Sequence, residues 1–247
     1  MRAVTWTGFL NPDRKSGTYV HFLPATPGAA TPYPVEVSVS VFGRGLPRKR
    51  ISLEGARLFH PDGIKVEDIF ALQEVDSENA VGFQLEIFAA QQRSDVSASQ
   101  CLVQFGSEAG PVMFSPVKKL IKSDPQSGAI LPDNTEQFAP INALKDAVLA
   151  PSLFIVNTTI NEYRPEVFYK DLPQVDSSLV PLGQVMNSSV LERRLDGTIF
   201  GEPAARELSW GNVRSRMLSL RKTDNGVACF LVYRDVKTSR ISSVHAL

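Results

Sequence analysis

Acidic and aromatic side chains cluster between residues 162 and 171: Glu162, Tyr163, Glu166, Phe168, Tyr169 and Asp171. Aromatic rings cover the apolar faces of sugars, and carboxylates accept sugar hydroxyls. Tyr163, Glu166 and Tyr169 therefore have the composition of a carbohydrate-binding edge. Cleavage of a glycosidic bond would require two opposed carboxyl groups about 5–10 Å apart, and Glu162, Glu166 and Asp171 are the acids available. The grouping points to binding more than to hydrolysis. Glu166 and Phe168 also fit an ordinary strand with one wet face.

A second grouping is cationic. Arg206, Arg214, Arg216, Arg221, Lys222, Arg234, Lys237 and Arg240 outnumber Glu207, Asp224 and Asp235. Arg214 and Arg216 share one face of an extended segment, and Trp210 lies just upstream. A cationic patch beside an aromatic ring suits phosphate or a nucleic-acid backbone. Arg44, Arg48, Lys49, Arg50 and Arg57 form a further basic group. Lysine and arginine on edge strands also guard against sheet-to-sheet aggregation. Since 26 basic residues balance 26 acidic ones, no global field draws polyanions. Guarding is the expected role, and a nucleic-acid partner is not expected.

The remaining inventory is thin. The chain carries no nucleophile elbow, P-loop, dinucleotide fingerprint or zinc-protease motif. Its histidines, His21, His60 and His245, fall in a strand, a turn and the tail. Asp62, Glu67 and Asp68 near His60 lack the spacing of a calcium loop and read as solvated turn acids. No catalytic residue, metal site or cofactor is expected. Asn157-Thr158-Thr159 and Asn187-Ser188-Ser189 match the glycosylation acceptor pattern by chance. Cys101 and Cys229 lie in apolar runs and read as small buried hydrophobes, with a single bridge between them the less favoured alternative.

The elements that must position these groups are strands. In Val35-Glu-Val-Ser-Val-Ser-Val-Phe42 the valines alternate with polar residues, the period of a half-buried strand. Gly43 to Pro47 reads as a turn into a partner strand, Arg48 to Leu53. Thr18 to Leu23, Val81 to Phe88 and Ser99 to Phe105 repeat the pattern, the last two expected as an antiparallel pair. Val112 to Lys118 adds another strand, whereas Ile64 to Leu72 fits either a short strand or a helical turn. Later strands are expected at Leu153 to Ile160, Glu166 to Tyr169, Leu179 to Met186 and Val227 to Arg234. The last is apolar on both faces and hence central. Asp224-Asn225-Gly226 predicts a hairpin joining it to Arg214 to Arg221. One helix is expected, from Pro140 through Ile141, Leu144, Val148 and Leu149.

These elements predict an all-β, mainly antiparallel protein of two β-sandwich-like units. They are expected at residues 1–122 and 151–247, with a linker carrying the short helix at 123–150. The chain has 247 residues, 43% of them hydrophobic, enough for two cores. No apolar run reaches the roughly 20 residues of a membrane span, and no secretory signal opens the chain, so a cytoplasmic location is expected. Ample core with little assembled chemistry predicts a non-enzymatic binding or assembly protein. It would act through a sheet face, an edge or the groove between units, with a protein partner or a second copy. The alternatives are a carbohydrate-active hydrolase or carbohydrate-binding protein using the acids near Glu162, Glu166 and Asp171, and phosphate or nucleic-acid binding through the C-terminal Arg-rich strands; a sugar or other small-molecule ligand is compatible with the first.

Overall fold

The computed structural model describes residues 2–13, 16–23, 35–53, 62–72, 79–89, 100–106, 110–121, 136–141, 149–164, 166–171, 177–195, 216–221 and 226–246. The chain is nearly all β, built from antiparallel sheets. It divides into two compact units: Met1–Ala129 with Ser188–Val190, and Ile130–Asn187 with Leu191–Leu247.

The first unit runs β1 (Arg2–Phe9), β2 (Thr18–Leu23), β3 (Val35–Gly43), β4 (Leu46–Leu53), β5 (Ile64–Lys65), α1 (Val66–Phe70), β6 (Val81–Ala89), β7 (Gln100–Phe105), β8 (Val112–Phe114) and β9 (Val117–Ile121). Its sheets have the orders β4-β3-β6-β1-β9 and β5-β2-β7-β8. Alternation builds the core directly. Val37, Val39 and Val41 lie level with Ile87, Leu85 and Phe83, which in turn lie level with Val4, Trp6 and Gly8. All but the glycine are buried hydrophobics. Gly8 is required there, because a Cβ would sit 2.6 Å from Phe83 Cε1. Trp6 meets Phe22 of the other sheet edge-on at 5.7 Å, and Phe9 meets Phe105 and Phe114, each at 5.4 Å. Such ring pairs contribute about 0.5–1.5 kcal/mol each beyond the area they bury. The two sheets are thereby held face to face, as in a sandwich.

The β3–β4 hairpin forms as the alternation predicts, and Ile64 to Leu72 holds both a short strand and a helix. Two expectations fail here. Val81 to Phe88 does not pair with Ser99 to Phe105: β6 lies between β1 and β3, and β7 between β2 and β8. The connection of 10 residues is too long to dictate a hairpin, and it carries the chain to the other sheet. Val112 to Lys118 is likewise two strands in different sheets, interrupted at Ser115-Pro116, where proline has no N–H for the ladder.

The second unit runs β10 (Glu136–Ile141), β11 (Leu149–Asn157), β12 (Glu166–Asp171), β13 (Ser177–Pro181), β14 (Ser189–Arg194, of which residues 191–194 fall in this unit), β15 (Arg216–Arg221), β16 (Val227–Asp235) and β17 (Ile241–Ala246). Its sheets have the orders β10-β15-β12-β13 and β14-β11-β16-β17. As its two apolar faces predict, β16 is interior, paired with β11 and β17. Leu153, Ile155, Val227, Cys229 and Leu231 pack with Tyr163, Leu182, Val185 and Leu195 as one buried cluster.

The predicted hairpin onto Val227 does not form. β15 lies between β10 and β12 in one sheet, while β16 sits in the other. Asp-Asn-Gly favours a chain reversal but does not select the neighbour, which long-range packing decides. The helix expected from Pro140 is also corrected. Pro140 and Ile141 close β10 and Leu149 opens β11, while residues 142–148 lie outside those described. Among the described residues the helix is Val66–Phe70, and no helix there is long and apolar enough to cross a membrane.

Candidate binding edge

Strand β4 has a neighbour on one side only among the described strands, and Pro47, Arg48, Lys49 and Arg50 on it are exposed. Its register places Arg50 opposite Ser40 of β3, and Ser40 opposite Gln84 of β6. Ser38 lies level with Glu86 in the next row of the same face. Two arginines thus reach over a polar sheet surface, and each is fixed there.

Arg50 Nε donates to Ser38 Oγ at 3.0 Å, and its Nη2 lies 3.3 Å from Glu86 Oε2. Ser38 Oγ in turn donates to the same Glu86 oxygen at 3.3 Å. The Arg50 guanidinium stands 5.8 Å from the Phe88 ring centroid. Arg48 repeats the arrangement one row along: Nη2 donates to Gln84 Oε1, and its Cζ lies 5.3 Å above Phe42. Burial holds Arg48 below the ordinary arginine value, with Glu86 opposing and Arg50 adding to the shift. The group stays charged regardless. An exposed ion pair or cation–π contact is worth about 0–1 kcal/mol, so these contacts add little stability. Their effect is on entropy. An arginine carries about 2 kcal/mol of rotamer freedom, part of which is already lost before any ligand arrives.

The residues singled out from the sequence fall elsewhere. Tyr163 is only 6% exposed. Its N–H and C=O bond reciprocally to Val185 at 2.8 and 2.7 Å, and its side chain joins the second unit's core. It does not present the open ring face that a sugar platform requires. Glu162 is exposed and accepts a hydrogen bond from Gln184 Nε2. In β12, Asp171 lies directly opposite Arg216 of β15, and Tyr169 opposite Leu218, two residues along. Glu166 is level with Pro181 of β13. Trp210 and Arg214 lie outside the described residues, as do Arg57 and His60.

The acids suspected near His60 serve the framework. Glu67 on α1 is fully buried. Its Oε2 accepts Thr18 N–H at 2.8 Å and its Oε1 accepts Thr18 Oγ–H at 2.7 Å. Thr18 Oγ accepts Asn11 N–H at 2.8 Å, and Asn11 Nδ2 donates to Gly106 O at 3.2 Å. Asp68 pairs with Lys65 at 3.2 Å. His21 Nε2 lies 3.0 Å from Gln104 Oε1 across the β2–β7 ladder, and His245 sits edge-on to Tyr233. Among the described residues no three His, Cys, Asp or Glu side chains converge as metal ligands. Asn157, within one glycosylation pattern, is buried, its Nδ2 donating to Asn161 O and Met186 O at 2.8 and 3.1 Å.

No protein-family model matches the chain, and no curated protein matches it in sequence.

Proposed function

We propose that the protein is a non-enzymatic binding protein whose recognition element is the cationic edge strand β4. The observation that carries this reading is the fixing of both arginines. Arg48 and Arg50 are exposed, two residues apart on one face of an edge strand, and each is held by an aromatic ring beneath it and an acceptor on β6. A strand that merely repels other edges needs charge but not fixed geometry. Guanidinium groups set in a defined orientation suit carboxylates or other planar oxyanions, which take paired N–H donors.

The test is retention on a carboxymethyl matrix. The triple variant Arg48→Ala/Lys49→Ala/Arg50→Ala should elute at distinctly lower salt than Arg44→Ala/Lys237→Ala/Arg240→Ala, which removes the same charge from exposed turns. Equal elution of the two variants would show that net charge alone governs retention and would remove the reading.

A further inference from the structure

We infer that the occupant of this edge is an extended acidic polypeptide segment, added alongside β4 as one more strand. The inference rests on the binding reading above and narrows it to one class of partner. Three observations select a polypeptide.

The first is the edge itself. Every second residue of an edge strand turns its N–H and C=O away from the sheet, and β4 has β3 on one side with no described strand on the other. An extended peptide supplies both donors and acceptors to such a row. A phosphodiester chain supplies acceptors only.

The second is spacing. Arg50 lies opposite Ser40 and Lys49 opposite Val41, on opposite faces, and Arg48, beside the register irregularity that follows Val41, reaches the Arg50 face over Phe42 to Gln84. Alternate residues on a strand repeat at about 6.8 Å, so carboxylates at positions i and i+2 of an added strand come level with the two guanidinium groups. An acid at i+1 falls on the Lys49 side. The pattern asked of the partner is therefore acidic residues at successive or alternate positions in a segment with strand propensity.

The third is the aromatic arrangement. Single-stranded nucleic acid binds through open rings on which bases stack. The rings of this face, Phe42 and Phe88, carry the two guanidinium groups, and Phe42 is fully buried. Both rings hold the arginines in place and leave no platform for a base.

The test is calorimetric titration of the full chain with three probes: a blocked octapeptide alternating Glu and Thr, the same peptide N-methylated at every second residue, and an oligothymidylate of equal charge. Binding of the unmodified peptide, weakened by salt and by Arg48→Ala/Arg50→Ala, is expected. N-methylation should weaken it by about tenfold or more, the equivalent of one to two lost main-chain hydrogen bonds. Arg48→Lys/Arg50→Lys, which keeps the charge but not the planar fork, should recover only part of the affinity, and it also guards against a folding defect in the alanine variant. Equal binding of both peptides would overturn strand addition while leaving the anion-binding reading intact. Tighter binding of the oligothymidylate would overturn the choice of polypeptide. No binding of any probe, with the alanine variant folded and matrix retention unchanged by it, would remove both and leave β4 as a guarded edge.

Discussion

Replacing Glu67 tests how the first unit is held around its helix. Glu67 is fully buried, and both of its oxygens accept from Thr18, which is itself fully buried. Glu67→Ala leaves a buried N–H and a buried hydroxyl without their acceptor, about 1–3 kcal/mol each. The return of a buried carboxylate's desolvation cost offsets part of this, as in other buried ionic groups. The net expected loss is about 1–5 kcal/mol. Glu67→Gln keeps the shape, but one amide oxygen replaces two acceptors and an NH2 faces a donor, so a smaller loss of about 1–3 kcal/mol follows. Urea unfolding followed by Trp6 fluorescence, in a Trp210→Phe background because the chain has two tryptophans, reads the first unit directly. In a Thr18→Val background Glu67→Gln should cost at least about 1 kcal/mol less, as expected for residues in one network. A loss below about 1 kcal/mol for Glu67→Ala, or strict additivity with Thr18→Val, would refute the reasoning.

Thr5 Oγ1 and Ser40 Oγ are buried without a hydrogen-bond partner, so Thr5→Val and Ser40→Ala should leave stability unchanged or raise it by about 1 kcal/mol in the same assay. Gly63 has φ +75°, and a Cβ there would lie 2.8 Å from His21 Cε1 and 3.0 Å from Val20 O. Gly63→Ala should lower the melting temperature of the first unit, and unchanged melting would contradict the geometry. Cys101 and Cys229 are buried, and burial pushes the Cys101 thiol up to about 12. Neither should react with a thiol reagent until the protein unfolds, when both should be counted.

Strand content was legible in the sequence wherever apolar and polar residues alternate. Val37, Val39 and Val41 and the series Val81, Phe83, Leu85 and Ile87 sit on the core face as their alternation requires. What the period could not carry was partnership. β1 alternates Val4 and Trp6 with Thr5 and Thr7, and β3 alternates Val37 and Val39 with Ser38 and Ser40, with both sets buried in each, so neither pattern names the strand beside it. Asp224-Asn225-Gly226 and Gln91 to Asp95 signal reversals, yet the strands they join belong to different sheets, because the choice of neighbour depends on long-range packing that a turn does not encode. The i, i+3 spacing of Ile141 and Leu144 followed Pro140 and looked helical, whereas Pro140 and Ile141 pair with Met217 and Arg216.

The candidate edge was legible as charge but not as geometry. Arg44, Arg48, Lys49 and Arg50 stand out in the sequence. That Phe42, Phe88, Gln84 and Glu86 would orient two of them depends on β6 lying next to β3, with Ser38 level with Glu86. Conversely, Tyr163 looked like a surface aromatic because acids surround it. Its bridge to Val185 turns it into the core.

The most direct measurement is hydrogen exchange of residues 46–53 in the full chain, with and without the alternating Glu/Thr octapeptide. Strand addition predicts that amides of β4 exchange more slowly when the peptide is present, and that Arg48→Ala/Arg50→Ala abolishes the slowing. Unchanged exchange across this segment at peptide concentrations where calorimetry shows saturation would contradict it.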